Sequence, residues 1–144
     1  IFVHTLNRRL NVIMSEFSET KYRILDSIRF DAVAGQSFVS GMTFEDYYID
    51  MKTQYACERA VMNVSEALRN MEMAAKVSGA PVDWSEISPE IDWESAKKIG
   101  DVMRHDYDEM HNRVIWDVVT TKLPEIEAAA VRALDGYEPH PGLE

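Results

Sequence analysis

The sequence predicts an all-α fold, an antiparallel bundle of four to five helices around one core. Three observations carry this. Apolar residues recur at helical spacing along most of the chain. No period-2 run of β-branched residues lasts more than a few positions. The 144 residues fit one domain, long enough to bury a core without a covalent staple.

Taken in order, the first helix is expected over about 19–34, where Ile24, Leu25, Ile28 and Ala32 share a face and Gly35 reads as a stop. A short element follows in "TFEDYYID", with Thr43 as N-cap and Asp46 three residues on. The clearest helix covers about 50–77. Cys57, Ala60, Val61, Val64, Leu68, Met71 and Ala75 form one stripe, and Gly79 and Pro81 end it. Residues 79–91 read as the main loop. A further helix is expected over about 92–107, with Asp92 or an earlier polar residue as its cap. Asn112 reads as the cap of the last helix, whose stripe runs from Val114 to Leu134 with a kink or break at Pro124. The eight methionines read mostly as core filler. Residues 1–18 are expected to be an N-terminal extension, 19–136 the helical domain and 137–144 a tail. Met14 is a candidate natural start.

Composition narrows the function classes. The single cysteine, Cys57, excludes an internal disulfide and a zinc site built on cysteines. A reducing, cytoplasmic compartment is the expectation. No apolar run approaches the roughly 20 residues of a membrane span. Residues 1–13 carry Arg8 and Arg9 in their middle, unlike the charge-first order of a signal peptide. A formal charge of −10 counts against indiscriminate nucleic-acid binding, which rests on many phosphate contacts. It leaves room for a local basic pocket.

The stretch "GDVMRHDYD" at 100–108 holds such a pocket's ingredients: Arg104, His105 and Tyr107. Two readings stand side by side. Arg and His in a last helical turn suit the helix dipole with no function at all. Alternatively, they form a metal-free site for RNA cleavage. That reaction needs a base for the 2′-hydroxyl, an acid for the leaving oxygen and a cation on the phosphate. Imidazole serves either proton role near neutral pH, and guanidinium fits phosphate through two parallel bonds. One histidine per chain does not easily do both jobs, but two copies in a symmetric dimer would. A metal reading is weaker. Asp101, His105 and Glu109 are spaced four apart with His111 nearby, but no Glu-x-x-His pair supplies a second ligand set.

Several stretches resemble the HepT-like toxins of the HEPN superfamily. They are "D-x-KTQ-x-A-x-ER" at 50–59, "PEI-x-W" at 89–93, "RH-x-YD" at 104–108 and "IWDVV…LPEI" at 115–126. The likeness spans about 22–134. It implies an α-helical homodimer that acts on RNA without a cofactor or metal, in a cleft at the dimer interface. In that family an Arg and a His separated by four to six residues act in cleavage. A Tyr two residues past the His can be adenylylated by a cognate nucleotidyltransferase antitoxin. His105 and Tyr107 match that His and Tyr. The positions expected for the arginine hold Lys98, Ile99 and Gly100. Arg104, adjoining His105, is therefore expected to act as the phosphate cation, supported by Lys98, which is not equivalent to arginine at such a site. Asp108 is a candidate to orient His105. Arg59 and Glu66 are candidates to line the cleft, although a plain surface ion pair is an equal reading.

Overall fold

The computed structural model of the chain describes residues 2–79, 81–102 and 109–135. Among these, the elements are all helical: α1 (Phe2–Phe38), α2 (Phe44–Tyr48), α3 (Met51–Ser78), α4 (Trp84–Ile87), α5 (Trp93–Val102) and α6 (Glu109–Asp117). A π-helical turn (Val118–Lys122) follows, then α7 (Leu123–Leu134). No described helix is long and apolar enough to cross a membrane.

Long helix α3 is the spine, and its stripe is buried as the spacing requires, from Cys57 to Ala75. The Asp50 carboxylate accepts from the Thr53 N–H at its start, and Gly79, at φ 83°, closes it in the left-handed conformation that glycine adopts without penalty. α1 runs antiparallel to α3: Asn63 donates to Asp31 at 3.2 Å, and the Cys57 thiol faces the Gly35 carbonyl. α5 also runs antiparallel to α3, with Lys97 on Glu72 and Gly100 on Ser65. The core joins Leu25, Ile28 and Ala32 to the α3 stripe and to Ile115, Val119, Leu123 and Ile126.

Several sequence expectations change. The first helix spans Phe2–Phe38, well beyond 19–34. Gly35 does not stop it, because this glycine is a contact rather than a cap. A Cβ there would lie 2.6 Å from Leu123 Cδ1 and 3.3 Å from Ala60 Cβ, so its absence lets three helices close together. The loop at 79–91 contains α4. Asn112 is not an N-cap: it is buried inside α6, which begins at Glu109. At Pro124 the chain neither breaks nor ends. The register widens to a π turn just before it, with the Leu123 N–H donating to the Val118 carbonyl and Pro124 placed in the first turn of α7, where its missing N–H costs least.

The methionines are the largest departure. Met71 is fully buried, but Met51, Met62, Met73 and Met110 are exposed, the first three on the outer face of α3. The Thr43 cap, with Asp46 reaching back to the Thr43 N–H, stands as read, and so does the Asp92 cap, whose carboxylate accepts from the Ser95 N–H.

Candidate functional site

Arg104, His105, Tyr107 and Asp108 lie outside the described residues. The residues on either side of them are well anchored, and both anchors fall on α3. On the entry side, the Ser65 hydroxyl donates to the Lys97 carbonyl at 2.6 Å and accepts from the Gly100 N–H at 3.3 Å. Arg69 pairs with Asp101 at 2.9 Å. On the exit side, His111 Nε2 lies 3.1 Å from Glu58 Oε1, with both side chains largely buried. Glu58 and Ser65 are seven residues apart, about 10 Å along the helix. Between and beside them, Arg59, Met62 and Glu66 stand exposed on α3.

Gly100 has a structural reason. A Cβ there would lie 2.9 Å from Ser65 Oγ and 3.3 Å from Ser65 Cβ. A larger side chain, arginine included, would have to displace Ser65 to fit against α3 at this point. Lys98 is exposed, and among the described residues no salt bridge to it is found. Its neighbour Lys97 is committed to the fold, bonded at 2.6 Å to both Glu72 and Glu94.

The segments that resemble the family prove largely architectural where they are described. Asp50 and Thr53 form the α3 cap. The Gln54 amide donates to the carbonyls of Tyr47 and Tyr48, clamping the end of α2. Trp93 donates to the Ser88 carbonyl and stacks on Trp84 at 4.9 Å. Trp116 sits edge-on to Phe44, and Arg113 lies 4.2 Å over the Phe44 ring. Glu58 and His111 were not recognised together from the sequence. They are separated by 53 positions, and no local pattern links them.

The described members of the metal reading do not converge. Asp101 pairs with Arg69, Glu109 with Arg113 and His111 with Glu58. On α2 the Tyr47 hydroxyl is pushed well above its usual value by burial, with Cys57 and Glu58 adding to the effect. Burial likewise pushes the Cys57 thiol up to about 12. Both groups are neutral at physiological pH and belong to the core.

A groove of about 870 Å³ opens between α5 and the α6–α7 arm. Ile91, Ile99, Val114, Val118 and Ile126 line it, but its rim carries Glu90, Asp92, Glu109, Asp117 and Glu125 against only Arg113 and Lys122. Such a rim repels phosphate. Lys52, Arg59 and Arg69 stand exposed along the outer face of α3.

The fold and its motifs define a helical bundle of the HEPN type. A family model described as ribonuclease HepT-like matches residues 31–133, and the chain belongs to that family. Among curated relatives, a protein of Methanocaldococcus jannaschii named as a putative RNase is 29% identical over 103 residues, covering 72% of this chain and 74% of that protein. A protein of Thermococcus cleftensis named as a probable ribonuclease HepT is 30% identical over 92 residues, covering 64% and 76%. A third, from Caldanaerobacter subterraneus and also named as a putative RNase, is 27% identical over 89 residues, covering 62% and 71%. No solved structure matches the chain at a significant level.

Proposed function

We propose that the chain is the toxin of a toxin–antitoxin pair of type II or a type VII-like kind, a metal-independent endoribonuclease that works as a homodimer. The observation that carries this reading is the bracketing of "RHDYD" by anchors on two turns of α3, in a chain of the ribonuclease HepT-like family. Firm anchors on both sides suit a segment whose groups must be held in a reacting geometry.

In this reading His105 takes the 2′-hydroxyl proton, and His105 of the second copy protonates the leaving oxygen, or the reverse. Arg104 stabilises charge on the phosphorane, and Lys98 adds long-range attraction. Asp108 orients His105. Arg59 lines the cleft, and Glu66 borders it. Tyr107 is the switch: adenylylation by a nucleotidyltransferase antitoxin would place a phosphate beside Arg104 and repel RNA, by the electrostatics that make phosphorylation a switch.

The test is RNA cleavage by purified protein in EDTA. Wild type is expected to cleave, and His105→Ala to lose at least about 100-fold, the usual size of a general acid–base contribution. Equal cleavage by both, or cleavage that requires an added divalent ion, would overturn this mechanism.

A second reading has its own support. Gly100 stands where the family places arginine, and the formal charge is −10. Both favour a non-catalytic subunit that docks a nucleotidyltransferase or a nucleotide. Absence of cleavage and of growth arrest when the chain is expressed alone would establish that reading instead.

A further inference from the structure

Helices α5 and α6 both pack on α3, yet a gap remains between α5 and the arm formed by α6, the π turn and α7. This gap is the groove of about 870 Å³, and every residue that lines it lies among the described residues. Its walls are helix faces. Ser95, Ala96 and Ile99 share a face of α5, and Met110, Val114 and Val118 recur at helical spacing on the other side. Val118 and Ile126 are buried at the floor, whereas Met110 is 74% exposed and Val114 37%. Facing apolar rows left open to water mark a surface for another chain. The π turn forms part of one wall, and such turns recur at functional sites.

Charge decides what kind of chain fits. Five of the fifteen lining residues are carboxylates, Glu90, Asp92, Glu109, Asp117 and Glu125, against 25 Asp and Glu among all 144 residues. All five are exposed. Among the described residues only Glu109 of these has a salt-bridge partner, Arg113, and that guanidinium also lies over the Phe44 ring. Glu90 and Asp92 precede α5, while Glu109, Asp117 and Glu125 stand on the opposite wall. An occupant therefore meets negative charge on both sides and an apolar floor between them.

We propose that the groove binds an amphipathic helix of a partner protein, with an apolar stripe facing inward and lysine or arginine along both flanks. The floor takes the stripe, as in other helix-in-groove contacts, and the rim pairs with the flanks and steers the approach. Met110, unbranched and flexible, can repack around the side chains it meets. Other occupants match less well. The rim repels a phosphate chain. A second copy brings its own formal charge of −10 to an acidic rim. Residues 136–144 of the chain itself hold two glutamates and no lysine or arginine. A small polycation satisfies the rim but leaves the floor uncovered. Docking of this kind is independent of RNA cleavage and is read by binding alone.

The experiment measures binding of synthetic peptides of about 14 residues to the full chain, by fluorescence anisotropy in about 0.15 M salt. The first peptide carries leucine at helical spacing on one face and lysine elsewhere. The second keeps the leucines and replaces lysine by glutamate. The third keeps the lysines and replaces leucine by serine. The first is expected to bind at least about tenfold more tightly than either of the others. Glu90→Lys combined with Glu125→Lys reverses charge on both sides of the groove and is expected to weaken the first peptide at least about tenfold. Glu19→Lys combined with Glu66→Lys makes the same change in net charge at positions that do not line the groove, and is expected to stay within about threefold of wild type. Val114→Asn, at a part-exposed position on the wall, is expected to weaken binding at least about fivefold through lost apolar contact. Unchanged helical circular dichroism separates these effects from unfolding. Equal binding of the leucine and serine peptides would reduce the groove to a patch of charge. Equal losses in the two charge-reversed pairs would make net charge the cause. Displacement of the first peptide by an equimolar amount of spermine would make a small polycation the occupant. No binding by any peptide would mean that this chain or a second copy already covers the groove. Each of these four results overturns the docking site.

Discussion

Gly100 shows how much one hydrogen atom decides. Alanine there would gain up to about 1 kcal/mol in helix propensity. It would also drive a Cβ into Ser65, whose hydroxyl already holds the Lys97 carbonyl. Overpacking of this kind costs about 1–3 kcal/mol, typically more than the gain, so Gly100→Ala is expected to lower stability by up to about 2 kcal/mol in urea denaturation. In combination with Ser65→Ala the loss should be smaller than the sum of the singles, because the hydroxyl contact is common to both. At Cys57, burial holds the thiol near 12, so no thiolate is present at pH 8. An aromatic disulfide reagent is expected to label it only at the rate of global unfolding, and fast labelling of folded protein would contradict the packing. The sequence made the chemistry of "RHDYD" visible by residue type alone. It could show Gly100 only as a missing arginine, since the cause, Ser65, is 35 positions away.

Helix α3 was legible because its apolar period and its stop at Gly79 agree, and the start of α5 because Asp92 reads as a cap; residues 103–107 of the helix expected over 92–107 lie outside the described residues. Helix α1 was not, because Gly35 carries the signature of a stop while its actual role is close packing against Ala60 and Leu123. The π turn was not legible either: Pro124 announces a disruption but not how the chain absorbs it. At this scale the Glu58–His111 contact decides how α6 joins α3 and where the candidate segment ends. Removing one member of a buried charged or hydrogen-bonded pair leaves the other uncompensated. His111→Ala is therefore expected to cost about 3 kcal/mol in thermal or urea denaturation and to reduce RNA cleavage with it. Glu58→Gln keeps an acceptor for the ring and is expected to cost less than half as much. Equal, negligible effects of both would show that the contact does not hold the helix.

Across the whole molecule, α3, α4 and α5 are tied by Glu72, which accepts from the Trp84 indole and from Lys97. Burial pulls the Glu72 carboxyl up, but the bonds from Lys97 and Trp84 together outweigh it and leave it below the usual carboxylate range. Burial pulls Lys97 down, and its bonds to Glu72 and Glu94 more than reverse this. The signs set a window. Glu72, depressed in the fold, stabilises above its unfolded value near 4.3 and loses that contribution as pH falls through its folded value. Lys97, raised, contributes fully below about 10.4 and loses it only as pH rises beyond its folded value. Glu72→Gln is accordingly expected to lose less melting temperature than wild type between pH 6 and pH 3. A steeper acid loss in the variant would contradict the network.

In the proposed homodimer, a site shared between the copies would present two histidines to one phosphate. Mixed dimers test this most directly. Wild-type and His105→Ala chains are co-folded in equal amounts, and RNA cleavage is measured in EDTA at constant total protein. If each cleavage event needs His105 from both copies, only wild-type pairs are active and the rate falls to about one quarter of the wild-type value. A rate of about one half would mean that each chain works alone, and would contradict the shared site.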